Sequence, residues 1–392
     1  MLDRLKLTVK DSFIYSLGNI STKVIGLILL PLYLKELSVA EYGMLGILEV
    51  SLQVLVALFG LSLYQAFYRW YWDKEYRDKQ NSLFFTTLTF VTLSAIVMAL
   101  IFSSISLTLS SMLLDSSDYA YLLRLMLISA ALQIITRVPM FLMRLQRKAI
   151  RFATTNFLKL LITLSLTIYF IVHQNKKLDG IFEAQIIGFV FFLVINIKYI
   201  IENIQLKFEF PVLKEMLSYS YPLMISAVGG LILNMADRYL VRFLENLSEM
   251  GVYNLGFKIA NVLKIVVIQS AFSAINPLRF KMMDKPDNKR FYSKIMTYSV
   301  FGFFIVQMVL MYFSKELIVL IAEDQNYWGA IHIIPILCFV QLFEILRRNV
   351  NIGLAIQKKT KIISFAMLTS ALVNIGLNFI LIYLFGAIGA AV

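Results

Sequence analysis

The sequence predicts an all-α, polytopic membrane protein, and three observations support this class. Of the 392 residues, 59% are hydrophobic and only 16% are charged, with a mean hydropathy of +0.76, whereas soluble domains are about half apolar and about a quarter charged. Long apolar runs recur along the whole chain, so a single cleaved signal peptide does not account for them. The one cysteine, Cys338, excludes a disulfide scaffold.

A membrane-spanning helix needs about 20 mainly apolar residues. The stretches that meet this requirement are 12–36, 44–68, 82–106, 119–142, 153–172, 179–202, 214–238, 252–276, 293–313, 328–352 and 361–385. A twelfth span is expected to begin in 386–392, and because it is incomplete there we expect the natural chain to continue beyond Val392.

Lys and Arg are concentrated in alternate loops, which predicts the orientation of the spans. The basic segments are 4–10, 69–79, 144–151, 198–214, 279–294 and 347–361. The positive-inside rule places them in the cytoplasm, with a cytoplasmic N-terminus in a plasma or inner membrane. The net charge of +13 therefore reflects topology, and the scattered charges do not indicate nucleic-acid binding.

The chain contains an internal repeat. Glu41 and Glu249 lie in similar loops 208 residues apart, and the segments at Gln146 and Gln357, and at Gly180 and Gly386, recur at nearly the same offset. Two six-helix repeats inserted the same way round are related by a pseudo-two-fold axis along the membrane normal. We therefore predict an N-lobe at 1–205 and a C-lobe at 206–392.

Several basic residues lie within predicted spans, where a charge costs about 2.5–3.5 kcal/mol and should face water or a partner. They are Lys23, Arg124, Arg137, Lys159, Lys258 and Lys264. Polar residues also recur at helical spacing in four spans, which predicts one polar face on each. These faces comprise Ser12, Ser16, Asn19 and Lys23; Glu49, Gln53, Gly60 and Tyr64; Gly230, Asn234 and Asp237; and Asn254, Lys258, Asn261 and Gln269, with Lys264 at the edge.

The equivalent spans of the two lobes thus predict a central, hydrated, cationic cleft that suits an anionic passenger. Its candidate binding residues are Lys23, Lys258, Lys264, Arg137, Lys159, Asn19, Asn254 and Asn261. Alternatives remain open at this stage, because Arg137 and Lys159 could instead snorkel towards the cytoplasm. Glu49 is either an ion-coupling group or a counter-ion for Lys258, and Asp237 is either an ion-coupling group or a structural partner of Arg238.

The sequence carries no motif for catalysis. It has no phosphate-binding G-x-x-x-x-G-K-[ST] loop, no H-E-x-x-H and no G-x-S-x-G. The predicted outer loops are at most roughly 15 residues long, which is an ordinary helix connection and leaves no room for a catalytic loop domain. We therefore expect no enzymatic activity, cofactor or metal site.

Several of these segments resemble a known signature. They are 234–240 (NMADRYL), 249–254 (EMGVYN), 358–361 (KKTK), 374–378 (NIGLN) and 386–391 (GAIGAA), with 31–33 (PLY) and 41–44 (EYGM) matching more loosely. Together they resemble the Wzx-type flippases of O-antigen and capsule repeat units, in the multidrug/oligosaccharidyl-lipid/polysaccharide (MOP) superfamily.

This resemblance implies a two-lobed, V-shaped fold of twelve or fourteen helices. It also implies a passenger, an undecaprenyl-pyrophosphate-linked oligosaccharide moved to the outer leaflet by alternating access while its tail stays in the membrane lipid. Glycan polymerase and other enzymes of the pathway are candidate partners. Two other functions remain as alternatives: an ion-coupled multidrug or cation antiporter, which requires an acidic cleft, and a membrane glycan polymerase, which requires a large outer loop.

Overall fold

The computed structural model describes residues 28–263, 286–356 and 360–392, together with Gly26, Ile275, Arg279 and Met282. Within these residues the chain is helical and no strand occurs. The α-helices are α1 Leu30–Glu36, α2 Val39–Gly60, α3 Leu63–Tyr71, α4 Gln80–Ser104, α5 Ser106–Leu114, α6 Ala120–Leu145, α7 Ala149–Ile168, α8 Lys177–Ile195, α9 Ile197–Glu202, α10 Phe210–Leu244, α11 Leu247–Leu263, α12 Asn288–Tyr312, α13 Ser314–Ile321, α14 Ala330–Ile356 and α15 Thr360–Phe385.

Among the described residues, eight helices are long and apolar enough to cross a membrane: those built on α2, α4, α6, α7, α8, α12, α14 and α15. The two segments of α10, Phe210–Ile232 and Asn234–Leu244, together qualify as a ninth. The predicted first span and the second half of the predicted eighth lie largely outside the described residues. The all-α, multi-pass membrane class expected from hydropathy is confirmed.

The helices form two compact units. The first contains the described residues up to Leu32 and the segment Ile47–Leu231, and the second contains Tyr33–Gly46 and Ile232–Val392. The lobe boundary at 205/206 stays a prediction.

A backbone break interrupts the predicted span 44–68. Leu61 and Ser62 adopt left-handed conformations with φ of 50° and 49°, which non-glycine residues seldom do, so α2 ends at Gly60 and α3 starts anew at Leu63. Tyr64 therefore does not continue the helical register of Glu49 and Gln53, contrary to the single stripe that their spacing predicts.

The N-termini of α2 and α11 are capped in equivalent ways. The Glu41 amide donates to Ser38 Oγ at 3.3 Å, and the Ser38 amide donates to Glu41 Oε2 at 2.8 Å, which is a capping box. The Glu249 amide donates to Asn246 Oδ1 at 2.9 Å. Ser38 and Asn246 are 208 residues apart, the offset of the predicted repeat.

The same two helices cross at two glycines, within the second unit. A Cβ on Gly43 would lie 1.9 Å from the Leu247 carbonyl oxygen, and a Cβ on Gly251 would lie 2.1 Å from the Val39 carbonyl oxygen. Val39 and Leu247 occupy equivalent repeat positions, as do Gly43 and Gly251, so the contacts are reciprocal. Reciprocity is what a two-fold relation between the segments requires.

The predicted start of a twelfth span adopts a different structure. Residues Gly386–Ala391 form a 3-10 helix that begins at Gly386 with φ +61°. It packs so tightly on the end of α15 that a Cβ on Gly389 would lie 2.0 Å from the Leu381 carbonyl oxygen. Because glycine has no Cβ, it suits both the positive φ at position 386 and the close backbone contact at position 389.

Candidate functional site

Asp237 is part of a hydrogen-bonded group inside the second unit. The hydroxyl of Tyr253, a fully buried residue, donates to Asp237 Oδ2, and the Arg238 amide donates to Asp237 Oδ1 at 3.0 Å. The guanidinium of Arg238 lies over the Phe257 ring, 4.0 Å from its centroid. The carboxylate is thus supported by two donors on α10 and α11.

Asn254 and Lys258 occupy one face of α11, as their spacing predicts. Asn254 is fully buried, and a Cβ on Gly46 would lie 2.7 Å from its Nδ2, so the amide packs against the α2 backbone just beyond the glycine crossing. The Lys258 ammonium lies 5.2 Å from the centroid of the Tyr42 ring, a favourable cation–π distance. Asn261 donates to the Phe257 carbonyl of its own helix at 3.0 Å.

Arg137 lies in the first unit on α6 and is only partly exposed. Its guanidinium carbon is 6.0 Å from the centroid of the Tyr64 ring, and the centroid of that ring lies 4.4 Å from the centroid of the Phe141 ring, one turn further along α6, with the two planes tilted by 30°. Within the described chain Arg137 forms no ion pair. A guanidinium held by an aromatic face keeps all its N–H donors for another acceptor.

Lys159 occupies a different part of the first unit. Its ammonium lies 4.9 Å from the centroid of the Phe189 ring, and its stem passes Gly188, so it is held between α7 and α8. The structure therefore does not bring Lys159 into contact with Arg137. Asn19, Lys23 and Lys264 lie outside the described residues.

Two of the carboxylates on the described spans are already engaged. Asp237 is bound as described above, and Glu344 on α14 accepts from Arg348 at 2.8 Å. Glu49 is partly buried on α2.

Arg124, near the start of α6, donates to Ser106 Oγ at 3.0 Å.

The connection before α10 carries a charged group outside the spans. The Lys207 ammonium lies 2.9 Å from Glu209 Oε1, and Ser82 and Thr86 of α4 also bind this residue. The hydrogen bond from Lys207 lowers the pKa of the Glu209 carboxyl. Ser82 binds the Glu209 carboxylate, and Thr86 accepts a hydrogen bond from the Glu209 amide, so these contacts hold the connection against α4.

Sequence reasoning missed one feature, an open cavity of about 460 Å³ in the first unit. It is lined by Gln65, Tyr68, Arg69, Trp72, Phe141 and Tyr219. The signal was present in the spacing of Gln65, Tyr68, Arg69 and Trp72, which fall on one face of a helix. This spacing was overlooked because hydropathy does not show the break at Leu61 and Ser62, after which a new helix begins.

Comparisons with known proteins identify relatives over most of the chain. A family model described as polysaccharide biosynthesis protein matches residues 8–283. A membrane protein of Haemophilus influenzae is 24% identical over 387 residues, covering 94% of this chain and 89% of the relative.

Solved structures share the fold. The lipid II flippase MurJ, in an inward closed conformation, has a TM-score of 0.75 at 15% identity and covers 96% of this chain and 83% of its own. An inward-facing multidrug resistance MATE family transporter of the MOP superfamily has a TM-score of 0.74 at 13% identity, covering 94% and 89%. At these identities the likeness establishes a common fold and leaves the passenger to be argued from the residues.

Proposed function

Because the chain belongs to the polysaccharide biosynthesis protein family, we propose that it flips undecaprenyl-pyrophosphate-linked oligosaccharide repeat units from the cytoplasmic to the outer leaflet. Transport proceeds by alternating access, in which the pyrophosphate and sugars pass through the protein while the polyprenyl tail stays in lipid. The exported repeat units serve surface polysaccharide synthesis, as O-antigen or capsule. No covalent bond is made or broken.

The observation that carries the proposal is Arg137. A buried charge without an opposite charge is costly, and among the described residues the only group found facing the Arg137 guanidinium is the Tyr64 ring, in a cation–π contact. An anionic passenger would supply the missing charge, and the guanidinium fork matches the oxygens of a pyrophosphate.

The state of the carboxylates favours this passenger over a cationic one. An antiporter for cations needs acidic groups that can exchange a proton or metal ion for the substrate. Asp237 and Glu344 are both already bound to donors from the protein. The second unit adds a cation, Lys258, on the Tyr42 ring. We propose that Lys258, Lys23, Lys264, Asn19 and Asn261 also contribute to passenger binding. Lys159, held against Phe189, and Asn254, buried against Gly46, serve packing instead.

The experiment is leaflet transfer in proteoliposomes. Undecaprenyl pyrophosphate carrying a radiolabelled oligosaccharide is placed in the inner leaflet, and its exposure to an external glycosidase is followed with and without an imposed proton or sodium gradient. Exposure that depends on the protein supports flipping. No exposure, alongside efflux of a cationic dye, would favour the antiporter instead.

Arg137→Ala tests the site within the same assay. A hydrogen bond to a charged group contributes about 1.5–3 kcal/mol, so we expect transfer to slow by about 10- to 100-fold, with partial recovery in Arg137→Lys. Arg124→Ala is the matched control, because Arg124 lies on the same helix and binds Ser106. Equal loss in both variants, or none in Arg137→Ala, would contradict the assignment.

A further inference from the structure

The helix α3 presents two distinct faces in the first unit. Leu63, Ala66, Phe67 and Tyr71 are buried, whereas Tyr68 and Trp72, the residue that follows the helix, remain 52% and 63% exposed. The left-handed pair at Leu61 and Ser62 sets the direction of α3 independently of α2. Such backbone outliers persist where surrounding structure holds them, and they concentrate at ligand sites.

The exposed face of α3 forms one wall of the cavity of about 460 Å³, a volume within the range of roughly 300–1,000 Å³ typical of small-molecule sites. Phe141 of α6 and Tyr219 of α10 supply the other walls. Four aromatic rings therefore converge on one space. A belt of interfacial aromatic residues anchors a helix through separate rings at the headgroup level and does not require this convergence.

Besides the tyrosine hydroxyls, the lining of the cavity includes two polar side chains, Arg69 and Gln65. Arg69 Nη1 donates to Asp73 at 3.3 Å, one turn along the chain, and this is its only hydrogen bond within the described structure. The bond steadies the guanidinium while its other N–H groups stay available. Gln65 adds an amide, whose Nε2 donates to Tyr64 at 3.3 Å.

This combination is the chemistry of saccharide recognition. The C–H face of a pyranose ring packs on flat aromatic rings, and its hydroxyls need donors and acceptors at the rim, which Arg69, Gln65 and the tyrosine hydroxyls provide. A polyprenyl tail would need neither this arginine nor the amide of Gln65.

We propose that this cavity binds a sugar residue of the passenger glycan at the basic end of the first unit. The inference rests on the proposed function, and it adds the location of a binding site and the part of the passenger that binds there. By the orientation predicted from the loop charges, the site lies at the cytoplasmic end. It would hold the glycan before the pyrophosphate reaches Arg137, which lies on the same helix as Phe141.

Photo-crosslinking tests occupancy directly. Tyr68 is replaced by p-benzoylphenylalanine in the full chain, reconstituted with undecaprenyl pyrophosphate carrying a radiolabelled oligosaccharide, and the adduct is identified by mass spectrometry. We expect a sugar-containing adduct at position 68 and none at Tyr121, a control on α6 that is 56% exposed. An equal adduct with the sugar-free lipid, or no glycolipid adduct, overturns the proposal.

Transfer kinetics test the role of the rings. Trp72→Ala is expected to raise the glycolipid fraction needed for half-maximal transfer about tenfold, as for truncation of a central aromatic contact, with little change in the maximal rate. Trp72→Phe should restore most of the apparent affinity. Trp328→Ala is the control, because Trp328 lies in the second unit and donates to Ala322 at 3.4 Å.

The two proposals fail separately. If the wild type transfers glycolipid but Trp72→Ala matches it, the cavity assignment is wrong and the proposed function stands. If the wild type forms the sugar adduct but transfers nothing, the cavity binds glycan and flipping is refuted.

Discussion

Gly43→Ala is the sharpest test of how the second unit is assembled. The added methyl carbon would lie 1.9 Å from the Leu247 carbonyl oxygen, whereas ordinary contact begins near 3.4 Å. The obstacle is backbone in a helix, which cannot move aside as a side chain can, so α2 and α11 must separate by about 1.5 Å.

The expected cost follows from that separation. Overpacking a close-packed interface costs about 1–3 kcal/mol, and the separation would also loosen Asn254 against Gly46. We therefore expect Gly43→Ala to lower the free energy of unfolding in mild detergent by that amount. Gly251→Ala, with its Cβ 2.1 Å from the Val39 oxygen, should cost about the same.

The double variant gives the strictest outcome. Because a single separation of the helices relieves both clashes, Gly43→Ala and Gly251→Ala together should cost clearly less than their sum, as coupled neighbours do. Gly302→Ala on α12 is the control: a Cβ there would have no described neighbour within 4 Å, and alanine is favoured over glycine in a helix by about 1 kcal/mol. Strict additivity, or equal damage from Gly302→Ala, would refute the reciprocal crossing.

Two further predictions concern buried polar groups. The pKa of Glu209 is lowered by its hydrogen bond from Lys207, so its stabilisation is complete above the unfolded-state pKa of about 4.3 and is lost as the pH falls through the folded-state pKa. The melting temperature of Glu209→Gln should therefore drop less steeply on acidification than that of the wild type. Glu202→Gln, at an exposed residue, is the control and should follow the wild type. If the plots of melting temperature against pH are parallel for all three proteins, this prediction is contradicted. Tyr253→Phe removes the hydroxyl that binds Asp237 and should lower the free energy of unfolding by about 1–3 kcal/mol. Tyr312→Phe, at a residue 78% exposed, should leave the free energy of unfolding unchanged. Equal stability of both variants would show that the Asp237 bond does not stabilise the fold.

Much of the fold could be predicted because its signals are local. Apolar length defines helices such as α6, α7 and α15 without reference to any neighbour, since lipid requires each span to satisfy its own backbone. The repeat offset, read from Glu41 and Glu249, also predicted an equivalence that the structure realises in the paired caps at Ser38 and Asn246.

The candidate site was predicted only in part. Helical spacing placed Asn254 and Lys258 on one face of α11, and the structure agrees. Spacing did not indicate that Lys159 lies against Phe189, or that Tyr253 binds Asp237, because a helical period specifies a face and leaves its neighbour undetermined. The aromatic cavity was missed for the same reason, since its walls come from three helices.

The sequence by itself determined the class, a multi-pass α-helical membrane protein with an internal repeat, because hydropathy and periodicity are properties of single helices. Only the tertiary structure decided which carbonyl each glycine meets, which ring covers each buried cation, and where the chain breaks at Leu61. Those features depend on contacts between residues far apart in sequence, and packing of whole helices chooses the partners.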